Sequence, residues 1–184
     1  GRLRAIDTDF ANNASTSPGK VGYGAALYNA GHMELRNCLV RGNSGAYNNG
    51  GAIYAGGGSL WVSGSTLAYN GVACIVQGAG SVTATNTIIW GNVDDIWGTA
   101  FLAWCNVENG DSNGVNGCIS ADPLFAHGFY LGAGSPCIDA GTNSAGDLSL
   151  DTRTTHTSGS NDSGRVDMGY HYTNGVDLTY AFIY

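Results

Sequence analysis

Four asparagines each follow an apolar residue by three positions: Phe10…Asn13, Val40…Asn43, Leu67…Asn70 and Ile89…Asn92. A second anchor precedes three of them, a small-small-aliphatic strand start. It reads Gly24-Ala25-Ala26-Leu27-Tyr28, Gly51-Ala52-Ile53-Tyr54, Ala73-Cys74-Ile75-Val76 and, more weakly, Asp95-Ile96-Trp97. Anchor to anchor, Leu27 to Asn43 is 16 residues, and Ile53 to Asn70 and Ile75 to Asn92 are each 17. The asparagines themselves lie 30, 27 and 22 apart, and the surplus falls in Gly/Asn/Ser stretches such as Gly42-Asn43-Ser44-Gly45. A constant path with variable loops is the signature of a solenoid.

The pieces between anchors are short and strand-like. Ser59-Leu60-Trp61-Val62-Ser63 and Ser81-Val82-Thr83-Ala84-Thr85 alternate with period two, and no helical stripe appears. Glycine supplies 30 of 184 residues, more than twice the usual share of about 7%, as many tight turns require. A repeat of about 22 residues is too short for a propeller blade and lacks the leucine-rich pattern. The expected fold is therefore all-β, a parallel β-helix with irregular C-terminal coils and a strand-like tail. Equivalent residues then stack at about 4.8 Å. Leu27, Ile53, Ile75 and Ile96 form an inward row. Asn13, Asn43, Asn70 and Asn92 form a ladder at a turn, where Asn tolerates left-handed backbone.

Several motifs carry a resemblance. Gly50-Gly51-Ala52-Ile53 and Phe10-Ala11-Asn12-Asn13 resemble the GGAI and FxxN signatures of polymorphic outer-membrane-protein repeats. Asn86-Thr87-Ile88-Ile89-Trp90-Gly91-Asn92, Ala121-Asp122-Pro123-Leu124-Phe125, Gly134-Ser135-Pro136-Cys137-Ile138-Asp139-Ala140-Gly141 and Arg165-Val166-Asp167-Met168-Gly169-Tyr170-His171-Tyr172 follow in order. Together they resemble the C-terminal part of bacterial choice-of-anchor Q surface proteins. The resemblance implies the right-handed hand of the helix and an exported bacterial protein, extracellular or on the cell surface. It implies no settled enzymatic activity. Two departures stand out: the chain opens inside a coil without a cap, and it ends at Tyr184 where the family continues into an anchoring segment.

The organisation expected is a β-helix domain over 1–172 and a tail over 173–184. Repeats are clearest in 24–109. A turn-rich loop spans 110–118, irregular last coils 119–141, and a long polar surface loop 142–164.

Of the five cysteines, Cys38 and Cys74 occupy different positions around the coil and are expected to be buried and unpaired. Cys118-Ile119-Ser120-Ala121 echoes Cys137-Ile138-Asp139-Ala140. One disulfide is expected among Cys105, Cys118 and Cys137, with Cys118–Cys137 ahead of Cys105–Cys118, which suits an extracellular protein. Zinc is the rival reading, but CxxC spacing is absent.

A net charge of −7 with a single lysine, Lys20, argues against a nucleic-acid grip. No apolar run is long enough for a membrane span. Parallel β-helices are frequent among polysaccharide lyases and hydrolases, which use acidic clusters on one face. Here Asp94-Asp95 is the only acidic pair in the repeats and reads as a turn. Arg36 and Arg41 read as solubilising positions without acidic partners. No catalytic residue and no cofactor is assigned. The C-terminal acids are denser, and Asp139, Asp147 and Asp151 are weak calcium candidates; otherwise these acids pair locally or with Arg153 and Arg165. His171 reads as a packing residue.

Residues Val176, Leu178, Tyr180, Phe182 and Tyr184 form an almost uncharged β-prone strand. Such a strand pairs with an open sheet edge on another copy. The leading functional expectation is a non-enzymatic extracellular fibre or surface subunit, assembling head to tail with copies of itself. The alternatives are a monomeric adhesion domain binding glycans or the cell envelope, and a polysaccharide-cleaving enzyme.

Overall fold

The computed structural model describes residues 1–15, 23–45, 51–71 and 73–173. The chain winds into a parallel β-helix of three sheets, with one short strand per coil in each. The first sheet stacks Arg2–Ile6, His32–Arg36, Ser59–Ser63, Ser81–Thr85 and Phe101–Ala103. The second stacks Asp9–Ala11, Leu39–Arg41, Thr66–Ala68, Ile88–Trp90 and Asn106–Val107. The third stacks Leu27–Asn29, Ile53–Ala55, Ala73–Gln77 and Asp94–Trp97. Every pairing within these three sheets is parallel.

Register makes the core. Leu27, Ile53, Ile75 and Ile96 are direct partners from coil to coil. Phe10, Val40, Leu67, Ile89 and Val107 form a second inward row, and Ala5, Leu35, Val62, Ala84 and Leu102 a third. Ile53, Ile75, Leu67 and Leu35 have no exposed surface. Burial of each such side chain contributes about 1.5–3 kcal/mol, so the rows, and not ion pairs, hold the prism together.

The corners are also columns. Asn13, Asn43 and Asn70 each donate, through main-chain and side-chain N–H, to the Oδ1 of the next asparagine up to Asn92, at 2.9–3.0 Å. The left-handed backbone lies one residue earlier than the sequence suggests. Asn12, Gly42, Tyr69 and Gly91 have φ of 56°, 62°, 53° and 68°, whereas the ladder asparagines do not. At the corner between the first and second sheets, Asp7, Asn37, Gly64, Asn86 and Trp104 form another left-handed column. The residues after them, Thr8, Cys38, Ser65, Thr87 and Cys105, each donate a side-chain hydrogen to the carbonyl two positions back. Cys38 and Cys105 thus stand where the other coils have a hydroxyl.

The expected disulfide is not formed. All five cysteines are free and buried. The Asn106–Ile119 bridge sets Cys118 on the coil after Cys105. One coil separates their backbones by about 4.8 Å, within the Cα range that a disulfide spans, yet both thiols stay free. The two thiols interact: Cys105 lowers the Cys118 pKa, while burial first, and Cys118 second, raise that of Cys105. Cys137 sits in a separate cluster with Ile88, Leu131 and Met168, its sulfur 3.1 Å from the Asn106 amide.

The C-terminal third departs from the expectation of irregular coils. Residues 116–119 continue the stack, with Trp104 N–H donating to Asn116 O and Val107 N–H to Ile119 O. Cys118 joins the main core in one cluster with Ile96, Leu102, Cys105 and Val107. From Ser120 onward the chain becomes a strap along the outside of the second sheet. It covers Leu39, Thr66, Ile88 and Asn106, the outward column of that sheet, and buries all four. Gly169 passes so close that a Cβ there would lie 2.8 Å from Ile88 and 3.0 Å from Thr66. Residues 142–164 are not simply a surface loop, because Ala145, Leu150, Thr154, Thr155 and Asp162 are buried.

The left-handed corner residues fasten the strap. Asn37 accepts from His171 N–H at 2.7 Å and donates to His171 O at 2.8 Å. Asn86 accepts from Thr142 N–H, and Thr66 from Tyr170 N–H. Arg153 pairs with Asp7 of the first coil at 2.7 Å. His171 is fully buried, its ring nitrogens 2.7 Å from Asp162 and 3.0 Å from Gly169 O. The described chain ends with Tyr172–Thr173 antiparallel to Arg153–Thr154; the tail from 174 lies outside the described residues.

Candidate functional site

Alternation in the first sheet decides which side chains face out. In Ser59-Leu60-Trp61-Val62-Ser63, Leu60 and Val62 are buried, so Ser59, Trp61 and Ser63 point away from the core. Register then sets Arg4, Glu34, Trp61, Thr83 and Phe101 in one outward column, and Arg2, His32, Ser59 and Ser81 in the next. Trp61 and Phe101 are 61% and 59% exposed, unusual for side chains of this size. They lie two coils apart, or roughly 9.6 Å, with Thr83 between them.

A groove of about 620 Å³ runs beside Trp61, lined by Arg2, His32, Glu34, Ser59 and Ser81, with Leu3 and Met33 at one end. His32 Nδ1 is 2.9 Å from Ser59 Oγ, and Arg4 Nε is 3.2 Å from Glu34. No carboxylate orients the other nitrogen of His32 among the described residues, so the pair lacks the third member of a nucleophilic triad.

The third sheet continues the pattern around the corner. Tyr28, Tyr54, Val76 and Trp97 share one outward column. The Tyr28 and Tyr54 rings stack at 5.8 Å and 3°, and Tyr23 tilts against Tyr54 at 4.4 Å. Trp97, 44% exposed, ends the strand just before the turn that leads to Phe101. Two neighbouring faces thus present flat rings with a polar surround of Ser, Thr and Gly.

The sequence-expected positions fare differently. Asp94 and Asp95 open a strand instead of a turn. Asp95 is buried, and its carboxylate accepts from Asn92 Nδ2 and Asn109 N–H; burial raises its pKa. Arg41 has an acidic partner after all, a bidentate pair with Asp9 of the preceding coil, and Arg36 donates to Leu148 O of the strap. The calcium candidates do not come together. Asp147 bonds the Ser144 N–H, Asp139 donates its own N–H to Asp167, and among the described residues no three His, Cys, Asp or Glu side chains gather as a metal site. The buried acids instead form a network: Asp167 accepts from Thr155 and Asp139 and lies 3.3 Å from His156, and Asp162 accepts from Asp167 N–H. Burial raises the Asp167 pKa. Val176, Leu178, Tyr180, Phe182 and Tyr184 lie outside the described residues. The exposed aromatic columns were the missed feature, although Trp61 at a polar beat of its strand is readable in the sequence.

Three stacked parallel sheets with in-register rows define a parallel β-helix solenoid. The chain belongs to the right-handed beta helix region family, which it matches over residues 4–144. No curated protein and no solved structure matches it. No helix among the described residues is long and apolar enough to cross a membrane.

Proposed function

We propose that the protein is a surface-displayed carbohydrate-binding β-helix that holds a glycan chain along the outer face of its first sheet. The observation that carries this is the Trp61–Phe101 column, two exposed rings about two coils apart beside a polar groove. Aromatic faces take the apolar face of a pyranose, and the Ser, Thr, His and Glu side chains alongside supply hydroxyl partners. The resemblance to bacterial choice-of-anchor Q proteins supports an exported, surface location. The fibre reading is less well supported, because Leu102 and Val107 of the last coil are already buried within the single chain and the strand proposed as donor lies outside the described residues.

Affinity electrophoresis in gels containing neutral or acidic polysaccharides tests the proposal. Trp61→Ala is expected to weaken retardation at least tenfold, about 1.4 kcal/mol, with an unchanged melting temperature. Unaltered retardation would remove this face as the binding site.

A cleavage reading draws on His32, Ser59 and Glu34 in the same groove. Glu34→Gln separates the two. A binder keeps its affinity and releases no product before or after the change, whereas an enzyme loses product formation.

A further inference from the structure

A second groove lies where the strap meets the left-handed corner that follows strand Phe101–Ala103. It holds about 510 Å³ and is lined by Trp104, Thr142, Asn143, Ser144, Gly164 and Arg165. Its walls are fixed. Segments around Ser144 and Arg165 bridge antiparallel, Ala145 N–H donates to Gly164 O, and Val166 N–H to Asn143 O. Thr142 is tied to the helix through Asn86.

The indole is held in place by an absence. Gly117 has φ +73°, and a Cβ there would lie 2.6–3.0 Å from Trp104 Nε1, Cδ1 and Cε2. Backbone therefore lies directly on the ring at Gly117, Trp104 also packs against Ile88, Leu131, Cys137 and Met168, and its remaining surface lines the groove.

The hydrogen-bonding capacity left open in this groove is donor-rich. Arg165 spends only its Nε, on Gly141 O, so both terminal nitrogens of the guanidinium have no partner among the described residues. The Asn143 side-chain oxygen is taken by the Thr142 hydroxyl, which leaves its NH₂ unspent. The Trp104 indole N–H has no partner among the described residues either, and an indole can only donate. The Ser144 hydroxyl oxygen accepts from Asp147 N–H and keeps its own hydrogen to give. The adjoining carboxylate, Asp147, faces the Ser144 main chain. In a chain of net charge −7, a groove whose open groups are donors is selective for an acceptor-rich anion.

We propose that this groove binds an acidic sugar, a pyranose that carries a carboxylate. The Arg165 fork takes the carboxylate, for which its planar geometry is suited. Asn143 and Ser144 take the ring hydroxyls, and the part of Trp104 that lines the groove borders the sugar. The site is separate from the Trp61 face and stands or falls without it.

The test is isothermal titration of the protein with a β-linked triglucuronate and with its methyl ester, which keeps the rings and removes the charge. Wild type is expected to bind the acid at least tenfold more tightly than the ester. Arg165→Gln is expected to bring the acid down to the level of the ester, Arg165→Lys to recover part of the difference, and Trp104→Leu to weaken both sugars. Trp61→Ala is expected to leave the acid preference intact. Equal binding of acid and ester, no binding of either, or an unaltered acid preference in Arg165→Gln of wild-type melting temperature would each overturn the proposal. So would displacement of the triglucuronate by inorganic phosphate at the same concentration, which would mark a simple anion site. Loss of the acid preference in Trp61→Ala alone would return binding to the first sheet and remove this groove.

Discussion

Replacing Asn70 by alanine tests the asparagine ladder at its most loaded rung. Asn70 is buried, and four nitrogen–oxygen bonds end on its side chain. Its Oδ1 accepts from Asn43 N and Asn43 Nδ2, both at 3.0 Å; its Nδ2 donates to Val40 O at 3.1 Å and to Asn92 Oδ1 at 2.9 Å. Alanine leaves the Asn43 N–H and one hydrogen of the Asn43 amide without partners. A buried polar group so stranded costs about 1–3 kcal/mol. Two of them set a loss of at least about 2 kcal/mol, a large share of a total near 5–15 kcal/mol. Asn13 is the internal control. It is exposed, and its side chain gives one bond, to Asn43 Oδ1 at 2.9 Å. Asn13→Ala is expected to cost less than about 1 kcal/mol. Urea unfolding followed by far-ultraviolet circular dichroism measures both. If Asn70→Ala unfolds within about 1 kcal/mol of Asn13→Ala, the ladder is ornamental and the reasoning fails.

Other expected outcomes follow from the same columns. Ile53→Asp places an unpaired charge in the inward row and is expected to prevent folding; a soluble variant with wild-type melting would contradict the inward assignment. Burial holds the folded pKa of Asp95 above its unfolded value, so its contribution is full below the unfolded pKa and is lost as pH rises through the folded one. Asp95→Asn is therefore expected to gain stability relative to wild type as pH rises from below the ordinary carboxylate range through the raised folded pKa of Asp95, and a difference in urea midpoints that stays flat with pH would refute this. Without reductant, denatured protein is expected to give five thiols in a colorimetric titration; three would show that a disulfide forms. Asn37→Ala removes both bonds to the His171 main chain and is expected to speed proteolysis within 142–164, which the wild-type strap resists.

The inward rows were readable from sequence because they repeat. A side chain that must match its copy one coil away leaves a period, and Leu27, Ile53, Ile75 and Ile96 show it despite loops of unequal length. The ladder was readable for the same reason. The strap was not, because it is built once and has no copy to be compared with. Its trace lies in the second sheet, where Thr66-Leu67-Ala68 and Ile88-Ile89-Trp90 are apolar without alternation, the pattern of a strand covered on both faces. The corner residues Asn37 and Asn86 looked like ordinary turn asparagines. Only the path of residues 142 and 171 gives their amides something to hold. Cysteine spacing points to a disulfide because the similarity of sequence between 118–121 and 137–140 reads as stacking. In the fold, one segment completes the prism and the other lies outside it.

Methyl nuclear Overhauser contacts in protein labelled at Ile, Leu and Val test the stacking most directly. The expected result is an unbroken chain of contacts, Leu27 to Ile53, Ile53 to Ile75 and Ile75 to Ile96, linking residues 21 to 26 positions apart in sequence. If Ile53 contacts neither Leu27 nor Ile75, the coils do not lie on one another and the account built on them is wrong.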